Sequence, residues 1–443
     1  MKMPPPDLRA RLTPGSSSAL RARDASVAFG ALATASPLSV ELSSLNGAHV
    51  LLRTRSQLAA ALGLIALDGI AGRILIAPPD LKEEYLLDAI RRAGIDTLVT
   101  DGEALPDLRL VAISTELQSD ASAATRVSEW VMFTSGTTGT PKMVAHTLEA
   151  LTGAIAPASD PVIWGTFYDI RRYGGLQIFL RAALGGASLI LSDADESTAD
   201  FLERLGREGV THLTGTPSHW RRALMSPLNE RIAPRYVRLS GEIADQAVLD
   251  SLKARFPAAA IGHAYASTEA GVGFEVTDGL EGFPASFIGG SGPVKMCVVD
   301  DALQICSSRT ASRFVGSSDT LAEGGFVDTG DMVERRGDRY YFTGRRGGII
   351  NVGGLKIHPE EVEAVINRHP AVRLSRVSGR RSPITGAIVV AEVVLDGGGD
   401  RDRIQNEILR DCRVHLKPFQ VPAIVRIVPK LELSAGGKLM RHA

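Results

Sequence analysis

The residues of this chain best suited to chemistry lie between 134 and 142. There Thr134, Ser135, Gly136, Thr137, Thr138 and Gly139 are followed by Thr140, Pro141 and Lys142. The run comes directly after an apolar, strand-like stretch from Trp130 to Phe133. Backbone N–H groups exposed by glycine, joined by Ser/Thr hydroxyls, make a donor-lined concavity for phosphate oxygens. Lys142 adds a point charge for the same anion. A Walker A loop would place Gly-Lys five residues after its first glycine. Counted from Gly136, that place holds Pro141, so the Walker pattern fails. A solvated Ser/Thr/Gly-rich surface loop is the bland alternative.

Four further runs follow in order. The first is Tyr265-Ala266-Ser267-Thr268-Glu269-Ala270-Gly271, and the second is Phe326-Val327-Asp328-Thr329-Gly330-Asp331. The third, Tyr341-Phe342-Thr343-Gly344-Arg345, leads into Asn351-Val352-Gly353-Gly354 and then Pro359-Glu360-Glu361-Val362-Glu363. The last is Gly436-Gly437-Lys438. Each alone is a weak signal, since a Ser-Thr-Glu triplet or a Thr-Gly-Asp turn is common. Their joint order is specific.

That order resembles the adenylate-forming superfamily: acyl-CoA synthetases, nonribosomal-peptide adenylation domains and firefly luciferase. The resemblance runs from about Gln57 to the C-terminus. It implies an α/β fold: a large N-terminal domain of α/β subdomains plus a β-rich subdomain, with a small mobile α+β C-terminal domain. It also implies a two-step reaction. A carboxylate attacks the α-phosphate of ATP to give an acyl-adenylate and pyrophosphate, and a thiol, usually that of coenzyme A, takes the acyl group. Both reactants are anions and repel unless cations and hydrogen-bond donors lie between them.

The resemblance also assigns roles. Thr134 to Lys142 would hold the phosphates that leave, with Thr134 among the catalytic residues. Glu269 would help hold Mg²⁺, Asp331 the ribose, and Arg345 the ribose or phosphates. Gly241, Glu242, Ala266, Ser267 and Thr268 would line the nucleotide. Lys438 would bridge the α-phosphate and the incoming carboxylate. Gly347 would be the hinge, and Gly353 and Gly354 would pass the pantetheine arm of coenzyme A. The acyl pocket would draw on Phe167, Tyr168, Asp169, Tyr173, Gly174, Thr216, Ala264 and Gly271. In amino-acid-activating relatives an aspartate near Asp169 receives the amine, whereas here Arg171 or Arg172 is placed to pair with it. Three departures stand out: Met143 where glycine is commoner after Pro-Lys, Gly347 where a hinge Asp or Lys is usual, and a short region before the phosphate loop. Delivery to a separate carrier protein, or a non-catalytic nucleotide-binding role, are the alternatives.

Composition sets the frame for these motifs. A chain of 443 residues exceeds one ordinary core and calls for two or more domains. Hydrophobic content of 44% with 22% charged residues is that of a soluble globular protein. A formal net charge of -1 offers no general attraction to nucleic acid. The longest apolar stretch, Leu58 to Leu67, falls well short of the roughly 20 residues a membrane span needs. Cys297, Cys306 and Cys412 lack CxxC spacing, which points to a reducing, cytoplasmic setting. His146, His212, His219 and His263 show no metal-ligand spacing and read as structural.

Helix and strand patterns alternate through most of the chain. Gln57 to Leu67, Leu81 to Ala93 and Ala247 to Phe256 read as helices; Arg73 to Ala77, Thr97 to Thr100 and Ala187 to Leu191 read as strands of parallel βαβ units. From Phe283 to Tyr341 short strands take over. Residues 344–348, with two arginines and paired glycines, mark a boundary, dividing a 26–345 domain from a 346–443 domain. Pro359 at a first helical turn, followed by Glu360 and Glu361, opens the smaller unit. Residues 1–25 hold Pro4-Pro5-Pro6, Ser16 to Ser18 and four arginines, and read as a disordered leader.

Overall fold

The helix Gln57–Leu67 is buried along every residue, as its all-round apolarity demands, and Ser56 caps its first turn. It packs against an eight-stranded sheet built around parallel strands at Arg109–Ser119, Thr97–Thr100, His49–Leu52, Arg73–Ile76 and Glu129–Phe133. Met143–His146 then returns antiparallel to Glu129–Phe133, and Arg313–Phe314 pairs with it at the edge. The phosphate-loop sequence is the connection at that reversal. The computed structural model describes residues 7–134, 141–155, 161–317, 321–322, 325–352, 355–382, 386–397, 399–432 and 439–440.

A second eight-stranded sheet runs, in spatial order, from Gly271–Val276 through Ala260–Ser267, Tyr236–Ser240, His212–Gly215, Ile163–Thr166 and Ser188–Leu191 to Ala19–Arg21 and Ser26–Ala28. The inner pairings are parallel, and each edge strand is antiparallel. Helix Tyr173–Gly185 packs on this sheet, and its buried residues merge with Gln57–Leu67 into one core.

The disordered-leader reading is corrected over residues 7–25. Ala19–Arg21 is a strand of the second sheet, and Leu8 and Leu20 are fully buried. The Leu8 N–H donates to Asp68 Oδ2 at 2.8 Å, and Arg9 pairs with Asp120. Proline, serine and arginine content suggested solvation; three leucines (Leu8, Leu12 and Leu20) buried in the main core decide otherwise.

The β-rich stretch is a five-stranded antiparallel sheet of Phe283–Pro284, Arg339–Arg345, Val327–Arg336, Ala302–Ser307 and Val294–Val299. The chain leaves it through a single 3-10 turn, Arg346–Gly348, which contains Gly347. Beyond the turn lies a separate core. It is formed by helices Pro359–Ile366 and Arg401–His415 on a three-stranded sheet, Val372–Ser382, Gly386–Leu395 and Ile424–Ile427.

Candidate active site

The Thr134 N–H donates to the Lys142 carbonyl at 2.8 Å, continuing the hairpin ladder one step past Phe133 and Met143 and closing the base of the phosphate loop. Thr134 is buried there. The Lys142 ammonium lies 5.0 Å over the Phe314 ring, a cation–π contact. Ser135, Gly136, Thr137, Thr138 and Gly139 lie outside the described residues.

His146, at the end of the returning strand, joins this loop to the Tyr265–Gly271 run. Its Nε2 donates to the Thr268 carbonyl at 2.7 Å, and its ring sits 5.7 Å from that of Tyr173. Burial pulls its pKa down to about 4, so the ring is neutral at pH 7 with the proton on Nε2. The sequence reading of His146 as structural fits this bond, although its partner Thr268 could not be read from spacing.

Asp331 is held from two sides. Strand register sets Arg345 directly across from it, and Arg345 Nε donates to Asp331 Oδ1 at 2.8 Å. The Tyr265 hydroxyl donates to Oδ2 at 2.5 Å. The Tyr265 ring is stacked between Phe274 and Phe342. Burial, then the charge of Asp331, push the Tyr265 pKa well above its ordinary value, so it remains a donor. A carboxylate has about four acceptor sites. Two donors therefore orient Asp331 and leave sites open for a vicinal diol.

Glu269 sits in the turn between Ser267 and Gly271, where its carbonyl accepts from the Ala311 N–H. Its charge reaches Arg345. No cluster of three metal-ligating side chains occurs among the described residues. One carboxylate beside bound phosphates is nevertheless the donor set Mg²⁺ takes in nucleotide sites, so Glu269 fits that ion.

The residues expected at the acyl pocket divide. Phe167 belongs to the core, stacked 5.5 Å from His219 and packed against Phe201 and Trp220. The Tyr168 hydroxyl donates to the Ser240 carbonyl at 2.8 Å and accepts from the Ser240 N–H, steadying the strand end before Gly241 and Glu242. Asp169 is committed to Arg171, whose Nε and Nη2 meet its two oxygens at 2.8 and 2.6 Å in a nearly buried pair. Of the two readings that the sequence left for Asp169, this is the pairing with Arg171 rather than a carboxylate kept for an amine. Thr216 caps helix Pro217–Met225 in a reciprocal arrangement with His219. Gly271 has φ +77°, and a methyl there would strike the Arg309 carbonyl, so its glycine serves that close approach. Tyr173 is buried beside His146, with Gly174 following it at the start of the same helix. Ala264 lies across from Glu275 in the strand register.

That face of the second sheet carries an excess of positive charge that no motif announced. Arg238 is buried, 3.7 Å from Glu275, whose other oxygen accepts from the Tyr236 hydroxyl. Arg181, on the Tyr173–Gly185 helix, points its field at the same group. It makes no hydrogen bond or ion pair among the described residues, and its Nε is buried. Burial, then Arg238, lower its pKa to about 10.

The tail of the chain reaches this site. The Leu439 N–H donates to Glu242 Oε1 at 2.9 Å, while Ser218 N–H and Oγ hold the same carboxylate at 2.9 and 3.1 Å. Lys438 itself, with Gly353 and Gly354, lies outside the described residues. Gly344, one residue before Arg345, has φ +145°, and a methyl there would strike the Glu360 carboxylate.

Two sequence profiles match. The one described as AMP-binding enzyme covers residues 31–312, more than half the chain, and the one described as AMP-binding enzyme C-terminal domain covers 361–438. The chain belongs to the AMP-binding enzyme family.

Relatives of this AMP-binding enzyme include the mitochondrial acyl-coenzyme A synthetase ACSM4 of Rattus norvegicus, 28% identical over 70% of this chain and 60% of that protein. The 2-succinylbenzoate–CoA ligase of Listeria monocytogenes is 26% identical over 75% of this chain and 74% of its own. The chain thus spans about 60% of the length of the rat relative. Among solved structures, the o-succinylbenzoate CoA synthetase of Bacillus subtilis, in complex with its acyl-adenylate intermediate, superposes with TM-score 0.74 at 19% identity over 98% and 97% of the two chains. The anthranilate CoA ligase AuaEII, in complex with anthranoyl-AMP, reaches 0.77 at 18% identity over 96% and 93%. These likenesses establish the fold.

Within the AMP-binding enzyme frame, the motif residues Thr134, Lys142, Glu269, Asp331 and Arg345 are those that sequence reading found. The His146–Thr268 bond, Tyr265 as an anchor of Asp331, the nearness of Arg181 to Arg238 and the Leu439–Glu242 contact are those it missed. All four relate distant segments, for which a linear pattern carries no signal.

Proposed function

We propose that this AMP-binding enzyme activates a carboxylic acid as its adenylate and passes the acyl group to the thiol of coenzyme A. In the first step a carboxylate oxygen bonds to the α-phosphorus of ATP, the bond to the bridging oxygen breaks, and pyrophosphate leaves. In the second the thiol sulfur bonds to the carbonyl carbon, AMP leaves, and the thiol proton is released. Mg²⁺, when bound with ATP, supplies neutralisation of phosphate charge, and Glu269 would hold it. The bond from His146 to Thr268 supports this reading, because it ties the phosphate loop to the turn that bears Glu269. Asp331 would take the ribose, and Lys438 would bridge carboxylate and α-phosphate. Hydroxyl and N–H groups at Gly241, Ala266 and Ser267 would line the nucleotide. Gly347 would serve as the hinge, and Gly353 and Gly354 as the pantetheine channel. A free-standing carrier protein is the second acceptor to be tested. A cytoplasmic setting belongs to the same reading; no helix among the described residues is long and apolar enough to cross a membrane.

The acid, in this reading, bears a second anionic group. Arg181 carries the inference. A partly buried guanidinium without a partner is costly, and here two arginines share one glutamate. An anionic substituent reaching the Tyr173–Gly185 helix would complete the set. The 2-succinylbenzoate named in the Listeria relative is an acid of that kind. The test is ATP–pyrophosphate exchange over a panel of mono- and dicarboxylic acids. Exchange should favour acids with a distal carboxylate, and Arg181→Gln should erase the preference by about 10²-fold, the scale of losing a desolvated charge pair. Equal exchange with monocarboxylates, or an indifferent Arg181→Gln, would overturn the acid class. Exchange with no acid would overturn the reaction.

A further inference from the structure

The contact between Leu439 and Glu242 joins the two ends of the fold. Glu242 follows the strand Tyr236–Ser240 and a Gly241 of φ +85°. Its carboxylate is held in place by the first turn of helix Pro217–Met225: Ser218 N–H meets Oε2 and Ser218 Oγ meets Oε1. A carboxylate at a helix N-terminus is stabilised by free N–H groups and the helix dipole. Glu242 is therefore oriented whether or not the tail is present. One lone pair of Oε1 takes the Leu439 N–H.

On its other side the tail is held by its own domain. The Arg376 Nη1 donates to the Met440 carbonyl at 2.9 Å, and Glu392 fixes Arg376. The Met440 N–H donates to the Glu432 carbonyl at 3.1 Å. Leu439 and Met440 thus span the gap between the small domain and the Glu242 turn. Close by, the same helix that holds Glu242 meets the strand Val372–Ser382. There Arg222 feels the like charge of Arg373, after burial the larger influence on it. A charge-assisted bond favours docking and a like-charge pair opposes it, so the docked state is poised to open.

We propose that Glu242 is a positioning residue for adenylation: it latches the main chain directly after Lys438 and so presents that lysine to the α-phosphate, and it releases the tail for thioester formation. The proposal rests on the adenylation reading above. It departs from the motif expectation for Glu242, which is a contact to the nucleotide itself. The two roles have different kinetic consequences. A nucleotide contact serves ATP and acyl-adenylate alike, whereas a tail latch serves only the step that uses Lys438.

The test measures both half-reactions in the full chain. Adenylation is followed by pyrophosphate release, and thioester formation by supplying a synthetic acyl-adenylate with coenzyme A. Glu242→Ala should slow adenylation about tenfold more than thioester formation, with kcat falling more than KM for ATP rises. Glu242→Gln, whose amide oxygen still accepts from Leu439, should recover most of the difference. Lys438→Ala sets the upper limit, a loss of about 10²-fold in adenylation alone. Trypsin cleavage at Arg345 or Arg346 should quicken in Glu242→Ala. Equal losses in the two half-reactions, an effect confined to KM, or no rescue by Gln would overturn the latch. If the wild-type chain forms no adenylate, the reaction reading fails; if it forms adenylate and Glu242→Ala changes neither the ratio of the half-reactions nor the cleavage, the latch alone fails.

Discussion

His146 Nε2 donates to the Thr268 carbonyl across 2.7 Å, and with that one bond the end of one sheet is fixed to the turn that ends a strand of the other. The ring that makes it is neutral because burial outweighs the bond, which by itself favours the protonated form. Burial holds the His146 pKa near 4 and, with Arg222 as a lesser cause, that of His219 near 3. In the unfolded chain both would titrate near their ordinary 6.5.

The sign follows from proton uptake. Below pH 6.5 the unfolded chain binds protons that the folded histidines refuse, so stability is full above 6.5 and lost as pH falls toward 4. Asp68 works the other way. Burial raises its pKa to about 6, so folding retains a proton there and one histidine is offset below that pH. Denaturant unfolding from pH 8 to 4.5 should show falling stability, with each histidine contributing about 1.4 kcal/mol per pH unit. His146→Gln should flatten the slope by one proton. An unaltered slope would remove His146 from the account.

Truncation tests the corrected leader. Leu8, Leu12 and Leu20 are buried, and each such side chain contributes about 1.5–3 kcal/mol. Removing residues 1–25 also leaves Asp68 without its Leu8 donor and Asp120 without Arg9. The truncated chain should be insoluble or melt more than about 10 °C lower, since about 1 kcal/mol already moves the midpoint of a large domain by 2–4 °C. A melting temperature equal to that of the intact chain would restore the disordered reading.

Asp331 and its two donors make a graded series. Asp331→Ala should reduce kcat/KM for ATP by about 10²-fold, the loss of two charge-assisted bonds to a diol. Tyr265→Phe keeps the stacked ring and removes only the hydroxyl that orients Oδ2, so its loss should be about tenfold at most. Steady-state kinetics with ATP varied would measure both. A Tyr265→Phe loss equal to that of Asp331→Ala would show that the hydroxyl acts on the nucleotide directly.

Local chemistry made much of this legible in one dimension. Gly, Ser and Thr before Lys142 suggest a phosphate loop from the sequence, because backbone donors and hydroxyls work within a single turn. The helix Gln57–Leu67 was read to the residue because its apolar run and its stop at Asp68 are properties of neighbours. Helix Glu83–Ala93 begins two residues later than its apolar pattern suggested and ends, as glycine chemistry dictates, before a left-handed Gly94.

Pairing across the fold was beyond that reach. Phe167 and Tyr168 share the aromatic character of pocket residues, yet Phe167 faces other core rings and Tyr168 is bound to Ser240. Asp169 is the local exception: its pairing with Arg171, two residues on, was legible in the sequence, and Arg171 takes both of its oxygens. Arg181 and Arg238 are 57 residues apart in number and belong to no sequence motif, yet helix and strand bring both into the field of the half-buried Glu275. From its residues alone the chain determined which chemical groups were available and in what order. Tertiary structure decided which charges are already answered and which still await a partner, because burial and distance, which set the energy of a charge, exist only once the sheets have packed.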